Sequence, residues 1–170
     1  MKFTFVPEYK FDTFDQVTAE FLLSIGVRAV LLDVDNTLEP YEHPTPGKHV
    51  IAWLNSLNDA GIKTAIISNN NQARLDLFNK NIGMPGFSRA AKPFAFRLRQ
   101  AMKLLSVEKE NTVFLGDQIL TDVWAAHNAG IRAILVPPIN DRPDPLTKIK
   151  RIIEIPIQKK YDRIHKGDNK

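Results

Sequence analysis

None of the 170 residues is a cysteine. That single absence excludes a disulfide framework, a thiolate zinc site and a cysteine nucleophile. It fits a reducing compartment. Long apolar runs are missing as well. Ala29 to Leu32 is among the longest, far short of the roughly 18 residues that a membrane-spanning helix needs. The opening Met1-Lys2-Phe3-Thr4-Phe5-Val6-Pro7-Glu8 lacks the apolar stretch and small-residue cleavage site of a signal peptide. A cytoplasmic protein is expected, with a peripheral membrane role left open. The main body also lacks net charge. Residues 1–140 carry 14 Lys/Arg and 14 Asp/Glu, whereas residues 141–170 carry 9 and 5, so the whole excess of +4 lies in the tail. The basic character therefore describes the tail and not the body. The four histidines, His43, His49, His127 and His165, have no metal-ligand spacing. His127 reads as structural or exposed.

Hydrophobic residues make up 44% of the chain, enough for one domain with a real core. Residues 11–22 read as an amphipathic helix, with Asp12 or Thr13 as its cap and Gly26 as its stop. That helix either packs on the core or lies on a membrane. Residues 28–32 then read as a buried strand ending at Asp33. A Pro-rich loop (Pro40, Pro44, Pro46) leads to a helix over 48–59, and a second strand spans 63–67, ending at Ser68. A helix over 72–79 follows. Pro93 suits the first position of another helix, running to about Leu105. A strand over 112–115 ends at Gly116-Asp117, a short helix covers 121–128, and a strand covers 132–136. Strand–helix alternation with continuous apolar strands argues for a parallel sheet with helices on both faces. Residues 1–145 are expected to form a single domain. Residues 146–170 are expected to hold a last helix, over about 146–153, and a basic, fraying tail. Trp53 and Trp124 sit at helical core spacing.

Open parallel sheets bind ligands at the carboxyl ends of their strands. Asp33, Ser68 and Asp117 all sit at such ends. In Asp33-Val34-Asp35-Asn36-Thr37-Leu38 the two carboxylates, two residues apart in extended chain, point to one side. Close carboxylates repel, so one needs a cation or a proton. Mg²⁺ takes hard oxygen ligands and keeps waters that a phosphate can replace. Asp117-Gln118-Ile119-Leu120-Thr121-Asp122 brings two more carboxylates. Taken alone, Asp33-Val34-Asp35 also fits a turn or helix cap, Ser68 an N-cap, and Lys92 a solvated surface lysine. Taken together they suit phosphate. Ser68 supplies a hydroxyl beside a helix start, and Lys92 supplies a point charge.

These residues resemble the four motifs of the haloacid dehalogenase (HAD) superfamily, in order, across about Arg28 to Val136. More narrowly, Leu32-Asp33-Val34-Asp35-Asn36-Thr37-Leu38, Ser68-Asn69-Asn70, Ala91-Lys92-Pro93 and Gly116-Asp117-Gln118 with Thr121-Asp122 are similar to the YqeG-type phosphatases of subfamily IIIA. The resemblance implies a three-layer Rossmann-like fold and the following roles. Asp33 is the nucleophile, forming an aspartyl phosphate. Asp35 is the general acid and then the base. Mg²⁺ is held by Asp33, the main-chain carbonyl of Asp35, and Asp117, with Asp122 in support. Ser68, Asn69 and Lys92 bind the phosphoryl group, and Thr37 and Asn36 shape the loop. A carboxylic acid at Asp35 fits phosphatases and mutases over dehalogenases and ion-pumping ATPases.

Many relatives carry a lid domain after the first or second motif. Here Leu38 to Lys63 and Asn69 to Ala91 have no room for one, so no cap domain is expected and the site is expected to be open. An open site suits a large phosphorylated substrate, or a partner subunit as cover. Relatives of the YqeG type include mitochondrial phosphatases acting on phosphatidylglycerophosphate, which becomes the first substrate expectation. The basic tail (Lys148, Lys150, Arg151, Lys159, Lys160, Arg163, Lys166) could then meet anionic lipid, or be only a solvated end. Arg89, ahead of Arg97, Arg99 and Arg74, is the preferred candidate for binding an acidic substrate. A phosphatase of a soluble metabolite is the second reading. A non-catalytic module docking on RNA, a ribosome or a GTPase is the third, and the intact Asp33, Asp35 and Asp117 argue against it. Nucleic acid is not an expected partner, and the oligomeric state is left open.

Overall fold

The computed structural model describes residues 5–140, 155–157 and 159–164. The helix expected over 146–153 lies outside the described residues. Six strands, β1 (Tyr9–Lys10), β2 (Ala29–Leu32), β3 (Lys63–Ile67), β4 (Gly86–Phe87), β5 (Thr112–Gly116) and β6 (Arg132–Leu135), form one sheet. Its order is β1-β6-β5-β2-β3-β4, and every pairing is parallel. The helices include α1 (Ala19–Ser24), α2 (Lys48–Asp59), α3 (Gln72–Asn79), α4 (Phe96–Leu105) and α5 (Trp124–Ala129), and residues 155–157 and 159–164 are helical as well.

Side chains alternate across the sheet and so divide the core in two. Val30, Leu32, Ile66, Val113 and Leu115 pack with Leu22 of α1, with Val50, Trp53, Leu54 and Leu57 of α2, and with Leu75 and Phe78 of α3. Leu31, Ala65, Ile67, Phe114 and Ala133 face the other way, onto Leu98, Ala101 and Met102 of α4 and Ala125 and Ala126 of α5. All residues of β2 and β5 are buried, as strands covered on both faces must be. The chain runs outward from β2 through β3 to β4, then returns to pair β5 on the other flank of β2. The β2–β5 junction is thus the switch point of the sheet, where ligands bind. Between Asp33 and Asp117 the chain holds loops, the helices α2 to α4 and the strands β3 to β5, and no cap domain.

Three expectations need correction. The helix over 11–22 is broken into a single turn at Phe14–Gln16 and α1. The Trp53 indole N–H donates to the Val17 carbonyl at 3.0 Å, and the Thr18 hydroxyl caps α1 by accepting from Phe21 N–H. Phe14 is buried edge-on against Trp53, and Phe11 packs edge-on against Phe21, so this segment is packed rather than presented to a membrane. Second, α4 begins at Phe96 and not at Pro93. The backbone of Lys92 is bonded to the Asn69 side chain and the Pro93 carbonyl accepts from Asn128, so neither joins the helical ladder. Third, the short helix expected at 121–128 opens with a wide turn, Ile119–Val123, in which Val123 N–H reaches the Gln118 carbonyl at 3.3 Å. The two-residue strands β1 and β4 are too short to announce themselves by apolar pattern.

Candidate active site

Asp33 continues β2 by one residue, its N–H donating to the Leu115 carbonyl of β5 at 2.9 Å. The chain then turns tightly. Thr37, Leu38 and Glu39 N–H all reach the Val34 carbonyl, and Asn36 takes a left-handed φ of 64°, a conformation that asparagine tolerates. This turn carries Thr37 back beneath the strand end. Its buried hydroxyl lies 3.1 Å from Asp33 Oδ2 and 3.0 Å from Asp117 Oδ1, bridging the ends of β2 and β5.

Lys92 enters from the segment before α4. Its Nζ donates to Asp33 Oδ1 at 2.6 Å and pairs with Asp122 Oδ1 at 2.7 Å. Asn69, at the end of β3, positions it: Asn69 Oδ1 accepts from Lys92 N–H at 2.8 Å and Nδ2 donates to its carbonyl at 3.3 Å. The Asn69 side chain therefore acts on the site through Lys92. Asp122 stands on the wide turn, with Oδ2 accepting from Gln118 N–H at 3.0 Å. A wide helical turn at a functional site is a recurrent device. It requires Gly116, because a Cβ there would sit 2.5 Å from Asp122 Cβ and Oδ2.

Asp33, Asp117 and Asp122 are all buried, and each can offer a carboxylate oxygen within 4.8 Å of the others. Lys92 offsets only one of these three charges. Burial pushes the Asp33 carboxyl up to about 6, helped by Asp122 and Asp35 and opposed by Lys92. Asp117 is pushed well above its ordinary value by burial, then by Asp122 and Asp33. Lys92 is raised: burial alone would lower it, but Asp122 and Asp33 outweigh that. Three hard oxygen donors short of positive charge fit a divalent cation.

Asp35 is elsewhere. Its Oδ1 accepts from Arg74 Nε at 2.9 Å and pairs with Nη2 at 2.7 Å, while Oδ2 accepts from Asn70 Nδ2 at 3.3 Å. Only its main-chain carbonyl is left for the metal role that the resemblance implies. Arg74 Nη2 also donates to the His43 carbonyl, tying α3 to the loop after β2. Ser68 is buried at the end of β3, and its Oγ accepts from Asn70 N–H at 3.0 Å. The α3 cap is Asn71, whose side chain accepts from Arg74 N–H, so Ser68 is not the N-cap and its hydroxyl hydrogen is left to donate. The structure thus gathers Asp33, Thr37, Lys92, Asp117 and Asp122 at the floor, with Asp35, Ser68 and Asn69 beside them. Arg89 is exposed, and Arg74 is the arginine that reaches a candidate catalytic group. Asn70 was missed as a site residue, although three successive asparagines at a helix start are a visible signal. His127 is structural, 3.2 Å from Glu8.

Residues 12–136 match the haloacid dehalogenase-like hydrolases. The Bacillus subtilis (strain 168) protein named "Probable phosphatase YqeG" is 32% identical over 154 residues, covering 91% of this chain and 90% of that one. A glyceraldehyde 3-phosphate phosphatase of Pyrococcus furiosus is 26% identical over 117 residues, covering 64% of this chain and 48% of that protein. The crystal structure of an uncharacterized protein from Listeria monocytogenes serotype 4b shares the fold, with a TM-score of 0.54 and 18% identity over 78% of this chain and 99% of that one. With its carboxylates and lysine gathered at the switch point of a parallel sheet, this chain belongs to the haloacid dehalogenase-like hydrolases, as a phosphatase of the YqeG type.

Proposed function

We propose that the chain is a Mg²⁺-dependent phosphatase that cleaves phosphomonoesters through an aspartyl phosphate on Asp33, with phosphatidylglycerophosphate as its first candidate substrate. The observation that carries this reading is the buried Asp33 carboxylate, fixed by Lys92 at 2.6 Å and Thr37 at 3.1 Å beside two further buried carboxylates. Mg²⁺, held by Asp33 and Asp117 with the Asp35 carbonyl and Asp122, supplies charge compensation for the phosphoryl oxygens when bound.

An Asp33 oxygen attacks phosphorus, and the P–O bond to the leaving alcohol breaks. Asp35 gives its proton to that oxygen. Water then attacks phosphorus while Asp35 takes a proton from it, the P–O bond to Asp33 breaks, and phosphate leaves. Ser68 and Lys92 donate to the phosphoryl oxygens. Arg74 and Asn70 aim the Asp35 carboxyl. With no cap domain between Asp33 and Asp117, a bulky ester such as a lipid headgroup phosphate meets no lid there. A cytoplasmic location with peripheral contact to a membrane goes with this reading.

Hydrolysis of para-nitrophenyl phosphate with Mg²⁺ and with EDTA tests the chemistry. Turnover that survives EDTA contradicts the metal's part. A soluble phosphorylated metabolite is the second reading, favoured by the partial match to a glyceraldehyde 3-phosphate phosphatase. A panel of phosphorylated metabolites assayed beside phosphatidylglycerophosphate separates the two. Faster turnover of a soluble ester would replace the lipid as substrate.

A further inference from the structure

The described residues bury most of their large apolar side chains. The three most exposed of those left outside are Phe94 at 71%, Leu104 at 62% and Phe96 at 61%. All three fall in one eleven-residue stretch leading into and along α4. Phe96 and Leu104 share a face of that helix with Gln100 and Lys103, because the opposite face, through Leu98, Ala101 and Met102, is spent on the core.

The charge around them is one-sided. From Leu77 to Val107 there is no Asp or Glu, while Lys80, Arg89, Lys92, Arg97, Arg99 and Lys103 lie within the same span. Lys92 is consumed by the site, but Lys80, Arg89, Arg99 and Lys103 are exposed. The Arg97 guanidinium stacks 5.5 Å from the Phe96 ring centroid and donates to Gln100. Arg99 donates to the Asn128 carbonyl, and Asn128 in turn donates to Pro93, which fixes this rim. The helical residues near the C-terminus are basic as well. Ile157 packs on the core layer that holds Leu98 and Met102, and Lys159, Lys160 and Arg163 nearby are exposed.

We propose that Phe94, Phe96 and Leu104, framed by Arg97, Arg99 and Lys103, are a docking face for an anionic lipid bilayer at the mouth of the site. Basic side chains are drawn to anionic headgroups, and exposed aromatic and aliphatic side chains bury among the acyl chains just below. A purely polar anionic partner would satisfy the cations and leave the three apolar side chains in water. Phe94 follows Lys92, which touches Asp33, by two residues, so the Phe94 end of the face lies within roughly 7 Å of backbone from the site. Phe11, Phe14 and Phe21, packed near the start of the fold, have no such exposure. The catalytic use of this face rests on the proposed lipid-borne substrate, whereas the docking itself does not.

The test is co-sedimentation of the full chain with phosphatidylcholine vesicles, with and without about 30% phosphatidylglycerol, at low and high salt. Wild type is expected to sediment with the anionic vesicles only, and less at high salt. Phe94→Ser/Phe96→Ser and, separately, Arg97→Glu/Lys103→Glu are each expected to weaken this about tenfold or more, with para-nitrophenyl phosphate turnover unchanged. The proposal is overturned if wild type ignores anionic vesicles, if Phe94→Ser/Phe96→Ser binds them as wild type does, or if polyuridylate binds in their place. Vesicle binding without any turnover of para-nitrophenyl phosphate would overturn the phosphatase reading and support the docking face.

Discussion

Asp33 and Asp35 stand two residues apart at one strand end, yet the fold treats them oppositely. Asp33 is buried among carboxylates, with one ammonium shared between it and Asp122. Asp35 is partly exposed, and both its oxygens are held by donors, Arg74 and Asn70. One residue type thus occupies two environments, one among other carboxylates and one among hydrogen-bond donors. The tight turn of Asn36 to Glu39 produces the split, because it brings Thr37 under Asp33 and leaves Asp35 facing α3.

Neutralising each carboxylate in turn is the strongest way to break this contrast. Asp33→Asn is expected to lower kcat by about 10⁴-fold or more on every substrate, measured as phosphate release. Asp35→Asn is expected to cost about 10²–10⁴-fold in kcat/KM on an alkyl phosphate, but much less in kcat/KM on para-nitrophenyl phosphate, whose leaving oxygen needs no proton. Equal losses on both esters would deny Asp35 its role as acid. Gly116→Ala attacks the floor alone. With its Cβ 2.5 Å from Asp122, it is expected to destabilise the fold by about 1–3 kcal/mol and to weaken the activating affinity for Mg²⁺. Arg74→Ala attacks the rim alone and is expected to cost about tenfold in kcat, more on the alkyl than on the aryl ester, with partial recovery in Arg74→Lys.

The smallest effect is on stability. Burial and repulsion raise the Asp33 carboxyl from 3.8 to about 6, so the metal-free fold favours its neutral form. The stability from that preference is full below the ordinary value and is lost as pH rises through about 6. In EDTA, the Tm of wild type is expected to fall by a few degrees relative to Asp33→Asn between about pH 5 and about pH 8. Mg²⁺ is expected to raise Tm more at the upper end. A flat difference would mean that Asp33 titrates normally.

The layered fold was legible because continuous apolar strands and Gly-ended helices alternate over most of the chain. The strand ends therefore pointed to Asp33, Ser68 and Asp117. What stayed hidden depends on contacts distant in sequence. The break after Val17 follows from a Trp53 bond, and the late start of α4 from Asn69 and Asn128 holding the Lys92–Pro93 backbone. The pairing of Asp35 with Arg74 needs α3 to lie against the loop after β2, a tertiary fact with no local pattern. Glycine at 116 was visible, but its reason, the closeness of Asp122, was not.

In the proposed reaction Asp33 carries the phosphoryl group. Rapid acid quench during turnover, followed by borohydride reduction and peptide mass spectrometry, tests it directly, because an acyl phosphate is reduced to the alcohol. Homoserine is expected at position 33 in the wild-type chain with Mg²⁺ and substrate, and none when substrate is omitted. Reduction at Asp35 or Asp117 instead, or undiminished turnover by Asp33→Asn, would contradict it.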